Sequence, residues 1–189
     1  MMRAILPIIM VGLFIPWDNL PAKGEEWRTN TQLLPQYCKD RAKGSRSAEW
    51  TKWRRNFGDA YIHMHHYCSG VYAEQKARTT VDQQERNRRL ATVIGQMQYV
   101  ERHCHTGCVL YPELHTRLGW ALGESGQVSE AIEQLQLAIK AKPKYTTAYA
   151  KLSDLYVKMK QPGDARKVLE AGLKAKPGSR KLQRRLDEL

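Results

Sequence analysis

The chain has 189 residues, of which 42% are hydrophobic, enough for one domain or one and a half with a real core. Lys and Arg number 31 against 19 Asp and Glu, a formal charge of +12. The charges are interleaved along the whole length with no basic arm, so the excess fits acidic partners or a solvated helical surface, and nucleic acid is not expected as a partner.

The N-terminus opens Met1-Met2-Arg3 and runs apolar from Ala4 to Trp17. The run is shorter than the roughly 20 residues of a membrane helix and carries two prolines. Its length suits the core of a secretory signal peptide, with cleavage expected after Ala22. An uncleaved inner-membrane anchor is the alternative. Export would place the protein in a periplasmic or secreted setting and make disulfides permissible.

From residue 23 to 111 the chain reads as a helical region. Glu25 to Leu34 is polar and expected to be irregular, and Pro35 turns the chain before Tyr37 and Cys38. A long helix is predicted from Ser47 or Ala48. Its apolar face is Phe57, Ala60, Tyr61, Met64, Cys68 and Val71, spaced by threes and fours. A second helix is predicted from about Val81 to His103, facing inward with Leu90, Ile94, Met97 and Val100.

Two clusters in this region could carry chemistry. His63-Met-His-His-Tyr-Cys68 lies on the first helix. At about 100° per residue, Cys68 points into the core and His65 sits on the rim of that face. His63 and His66 fall on the opposite, polar side. Imidazole and thiolate suit zinc or copper, and His65 with Cys68 could supply two ligands. A Cys38–Cys68 disulfide is the plainer reading, and its loop closure is worth roughly 3–4 kcal/mol. In His103-Cys104-His105-Thr106-Gly107-Cys108 the same choice recurs. A local Cys104–Cys108 disulfide is the plainer reading, and a metal or thiol-redox set of His103, Cys104, His105 and Cys108 is the rival. Four cysteines allow three connectivities, so cross-pairing stays open. No Gly-rich phosphate loop, nucleophile elbow or paired-carboxylate cleft is present. No enzyme activity and no cofactor are predicted.

From Pro112 a pattern is written twice, offset by 34 residues. Ala131 and Pro143 of the first copy become Ala165 and Pro177 of the second. Leu118, Gly119, Leu122, Gly126, Leu135 and Ala138 mark the first copy. Tyr149, Leu152, Tyr156, Leu169 and Gly172 mark the second. In period and markers this part resembles the tetratricopeptide repeat (TPR) family of helix–turn–helix units. It departs at His115, Ser153 and Gly172, where the family favours Trp, Gly and Ala; Gly172 is expected to loosen its helix by about 1 kcal/mol. The resemblance implies an all-α, TPR-like solenoid: two units and a last helix over Arg180–Leu189 that caps them through Leu182, Leu186 and Leu189. The preceding helical pair would then be a degenerate repeat. The N-terminal residues Pro35, Tyr37, Cys38, His63, His65, His66, Tyr67 and Cys68 are similar to an element of exported bacterial TPR proteins. That second resemblance implies architecture and export, and no chemistry.

The family resemblance also implies a working surface. The first helix of each unit would line a concave groove, offering Arg117, Trp120 and Glu124, then Lys151, Asp154 and Lys158. The last helix adds Lys181, Arg184 and Arg185. The expected role is a non-enzymatic scaffold in the bacterial envelope, holding an acidic or amphipathic segment of another exported protein. Peripheral membrane contact is left open. The rival is a metal-binding or thiol-redox accessory protein built on the Cys/His clusters.

Overall fold

A computed structural model describes residues 26–45, 47–105 and 107–189. The expected signal segment, 1–22, lies outside them. The described residues are helical throughout, with no strand. Among them no helix is long and apolar enough to cross a membrane.

The N-terminal leader is more ordered than its polar composition suggests. A single turn, α1 (Glu26–Thr29), buries Trp27, and α2 (Gln36–Ala42) begins directly after Pro35 and buries Cys38. The long helix predicted from Ser47 is in fact two. Ser47 caps α3 (Ala48–Phe57) by accepting the Trp50 N–H at 3.1 Å. Gly58 then takes φ +61°, a left-handed conformation that costs a side-chain-bearing residue free energy. A 3₁₀ segment (Gly58–His63) leads into α4 (Met64–Thr79). The apolar face survives this break. Ala60, Tyr61, Met64, Cys68 and Val71 are all buried, with Phe57 packed half-buried against them.

Asp82 caps α5 (Gln83–Glu101), slightly shorter than the predicted 81–103. Helices α4 and α5 form an antiparallel hairpin. At Gly70 they come so close that an added Cβ would meet Met97 Cε at 2.6 Å. The two predicted units follow as α6 (Tyr111–Glu124) with α7 (Val128–Ala141), and α8 (Thr146–Lys158) with α9 (Pro162–Ala175). α7 and α9 each stop two residues before Pro143 and Pro177, as the missing N–H and ring of proline require. α10 (Arg180–Asp187) ends short of the predicted Leu189 but covers Tyr149 and Leu169 with Leu182.

The buried core does not stop at the junction near residue 111. One cluster runs from Trp27 and Cys38 through Tyr67, Met97, Leu114 and Leu118 to Leu155. His115 sits in this core, 1% exposed. Its Nδ1 meets Gln134 Oε1 on α7 and lies 3.7 Å from Glu101 of α5. A polar side chain at this position thus ties three helices together.

Both predicted disulfides are formed: Cys38–Cys68, joining α2 to α4, and Cys104–Cys108, in the turn between α5 and α6.

Candidate functional site

Helices α4, α6, α8 and α10 supply one concave face. α6 and α8 bring the expected groove residues there, and α4 adds two that the sequence reading missed, Glu74 and Arg78. Two adjoining cavities lie along this face. The larger, about 230 Å³, is floored by Gly119, Gly123, Leu135 and Leu155 and rimmed by Arg78, Trp120, Glu124, Lys151, Asp154 and Lys158. The second, about 190 Å³, shares Arg78, Trp120 and Lys151 and adds Glu74, Glu113, Thr116, Arg117, Tyr145 and Thr147.

The charges on this face are mostly paired. Arg117 is the clearest case. Its guanidinium donates to Tyr67 Oη at 3.0 Å and to Glu113 Oε1 at 2.7 Å, and it also bonds Glu74 Oε2. Burial opposes its charge, but Tyr67, Glu74 and Glu113 outweigh burial and hold the group protonated. Burial in turn keeps the Tyr67 and Tyr37 phenols neutral by pushing their pKa values up. Arg117 therefore clamps α4 to α6 rather than presenting a free cation to a ligand.

Elsewhere the pairing is looser. Glu124 is held by Arg86 and lies 3.6 Å from Lys158. Arg185 donates to Asp154 at 2.8 Å, and Lys181 bonds the Thr147 hydroxyl at 3.2 Å. Arg184 points away and is solvent-exposed; it lies 3.7 Å from Glu188 of its own helix. The Arg78 guanidinium lies over the Trp120 ring, 3.9 Å from its centroid, and is anchored by Glu74 at 2.7 Å. A cation–ring contact on an exposed face is worth about 0.5–1 kcal/mol.

Lys151 stands apart. It lines both cavities, and its nearest carboxylate, Asp154 at 3.9 Å, is already engaged by Arg185. Burial first, and Arg78 second, lower its pKa; Asp154 and Glu74 work the other way. A half-buried ammonium beside a guanidinium, with only a shared counter-charge, favours an incoming anion.

The metal and thiol-redox sets are not assembled. Cys68, Cys104 and Cys108 are spent in disulfides, and no described cysteine is free. Among the described residues no three His, Cys, Asp or Glu side chains are placed to hold a metal ion. His65 hydrogen-bonds the Ile62 carbonyl, His103 bonds the Tyr99 carbonyl, and His105 is exposed. His63 and His66, expected on a polar face, are half-buried against α5.

Glu74 and Arg78 were missed because the first helix was followed only to Val71. The signal was present in the sequence. Glu74 and Arg78 are four apart, the spacing of a stabilising pair on one helical face.

Residues 111–186 match the family model of the tetratricopeptide repeat. Domains of this family generally mediate protein–protein interaction. Comparison with curated proteins and with solved structures gave no match.

Proposed function

We propose that this protein is a non-enzymatic scaffold of the bacterial envelope, and that its concave face holds an acidic or amphipathic segment of another exported protein. Lys151 carries the reading: a half-buried cation at the junction of two cavities, beside the Arg78–Trp120 stack, whose nearest carboxylate is shared. An acidic side chain over Lys151 would supply the missing counter-charge. An apolar neighbour would reach Leu155 and Trp120 below it. Trp and Arg are the side chains that most often anchor interfaces.

The test is fluorescence anisotropy with labelled peptides of matched length that are acidic, neutral or basic. Acidic amphipathic peptides should bind best, and Lys151→Glu should weaken them at least tenfold, about 1.4 kcal/mol, with the fold unchanged by circular dichroism. Equal binding of all three peptides, or no effect of Lys151→Glu, sinks the groove reading. Export is a separate matter, read from the intact mass of envelope-fraction protein with and without reduction and alkylation. A mass short of the first 22 residues, with no thiol to alkylate, is the expected result.

A further inference from the structure

The histidine-rich start of α4 is not used by the groove. It forms a ring stack with the end of α5. His63, the last residue of the 3₁₀ segment, stacks on His103 with centroids 3.9 Å apart. His66 lies on Tyr99 at 3.7 Å, His65 on His66 at 4.2 Å, and Tyr99 is 4.7 Å from His103. These rings bring the start of α4 against the last turn of α5.

Three of the imidazoles have spent Nδ1. In His65 and His103 it faces a backbone carbonyl, of Ile62 at 3.1 Å and of Tyr99 at 2.8 Å. A carbonyl only accepts, so Nδ1 carries the hydrogen and Nε2 is left to take a further proton. His66 Nδ1 meets Gln96 Oε1 at 2.7 Å in the same way.

Among the described residues none of the four histidines forms an ion pair with a carboxylate. Glu101, two residues before His103, lies 3.7 Å from His115, and Asp59, four residues before His63, lies 3.6 Å from Arg54. The charged groups that face the stack are basic: Arg28 of α1 and Arg41 of α2 toward His65, and Arg102 at the end of α5, 5.7 Å from the Tyr99 ring. His63 and His65 also sit at the N-terminal, positive end of α4, where a cation is unfavourable.

We propose that this ring stack is an acid-sensitive clasp: it ties the start of α4 to the end of α5 at neutral pH and releases on mild acidification. Release is local. Tyr61 and Met64 stay anchored in the core, and further along α4 is held by Cys38–Cys68 and by the Arg117–Glu74 contact, so what loosens is the histidine-bearing side of 58–66.

The direction of the pH effect follows. Burial, then His103 and His66, lower the His63 pKa; burial, then His66, Arg41 and Arg28 lower that of His65 against a smaller opposing effect of the Ile62 carbonyl. An unfolded imidazole titrates near about 6.5. The opened form therefore takes up protons first. The clasp is fully closed above that value and loses stability as pH falls through the lowered folded values.

Hydrogen–deuterium exchange of the full chain at pH 7.5 and 5.5, corrected for intrinsic rates, tests this. Protection of peptides covering 58–66 should fall on the order of tenfold, about 1.4 kcal/mol, while α6 to α8 stay unchanged. His63→Gln and His103→Gln should each hold the change below about threefold, and exposed His105→Gln should leave it intact. An even loss across the chain, or the same loss in the variants, overturns the proposal. Should a variant misfold, NMR titration of wild-type His63 decides: a midpoint at or above about 6.5 overturns it.

Discussion

Gly172 and Lys160 occupy positions where one atom decides the sign of a substitution. Beside the tetratricopeptide repeat pattern that residues 111–186 match, Gly172 looked like a weak point that Ala would repair. In the structure a Cβ there would lie 2.8 Å from Tyr149 Cγ and 2.7 Å from Leu182 Cδ1. The leucine methyl can move, but the base of a packed ring cannot move cheaply. Gly172→Ala is expected to destabilise by about 1–3 kcal/mol through overpacking, more than the helix propensity gained, about 1 kcal/mol. Lys160 is the converse. It holds φ +60°, the left-handed conformation that Gly126 supplies 34 residues earlier. Lys160→Gly removes that strain and should raise stability by roughly 0.5–1 kcal/mol. Urea unfolding of the two variants should therefore move the midpoint in opposite directions. The 34-residue offset made the Gly126–Lys160 correspondence legible in the sequence. The ring beneath Gly172 was not, because periodicity records which face is buried and not which atoms meet there.

At the scale of elements, helix faces were more legible than helix ends. The core side of the 3₁₀ segment and α4 was readable from Ala60, Tyr61, Met64, Cys68 and Val71, since the 3₁₀ turn keeps these residues on one side. The break at Gly58 was not, because a single glycine inside a helical pattern is compatible with either outcome. Following α4 only to Val71 hid Arg78, and with it the cation that covers Trp120. The disulfides act between elements and carry different weights. Cys38–Cys68 closes a separation of 30 residues and pins α2 to α4, whereas Cys104–Cys108 closes only 4. Loop-closure entropy makes the first worth roughly 3–4 kcal/mol and the second about 2 kcal/mol. Double Ala variants of each pair, compared by urea unfolding, should rank in that order. The Cys38→Ala/Cys68→Ala protein should also lose amide protection in α2 before it loses any in α6. Equal losses would mean that native contacts, and not the unfolded loop, set the effect.

The described residues form two cores of unequal size, and these predict unequal consequences of cutting the chain. The large cluster crosses from the disulfide-bonded helices into α6 and α7, so a boundary drawn near 111 from the repeat pattern divides one packed body. A fragment of residues 111–189 would uncover the α5-facing side of α6. It would also strip Arg117 of Tyr67 and Glu74, leaving Glu113 as its partner. That fragment should be helical but without a sharp thermal transition, and it should bind a hydrophobic dye. The small cluster of Tyr149, Ala150, Leu169 and Leu182 is reached mainly through α10. Removing residues 180–189 gives up the burial of Leu182, about 1.5–3 kcal/mol, which for a chain of this size lowers Tm by roughly 3–12 °C. The remaining protein should still unfold in one cooperative step, because the large core is untouched. A sharp, dye-free melt of 111–189 would show instead that the two repeat units fold without α4 and α5. The helical pair would then be an attachment to the solenoid, and Arg78 and Glu74 an addition to a groove already complete in α6 and α8.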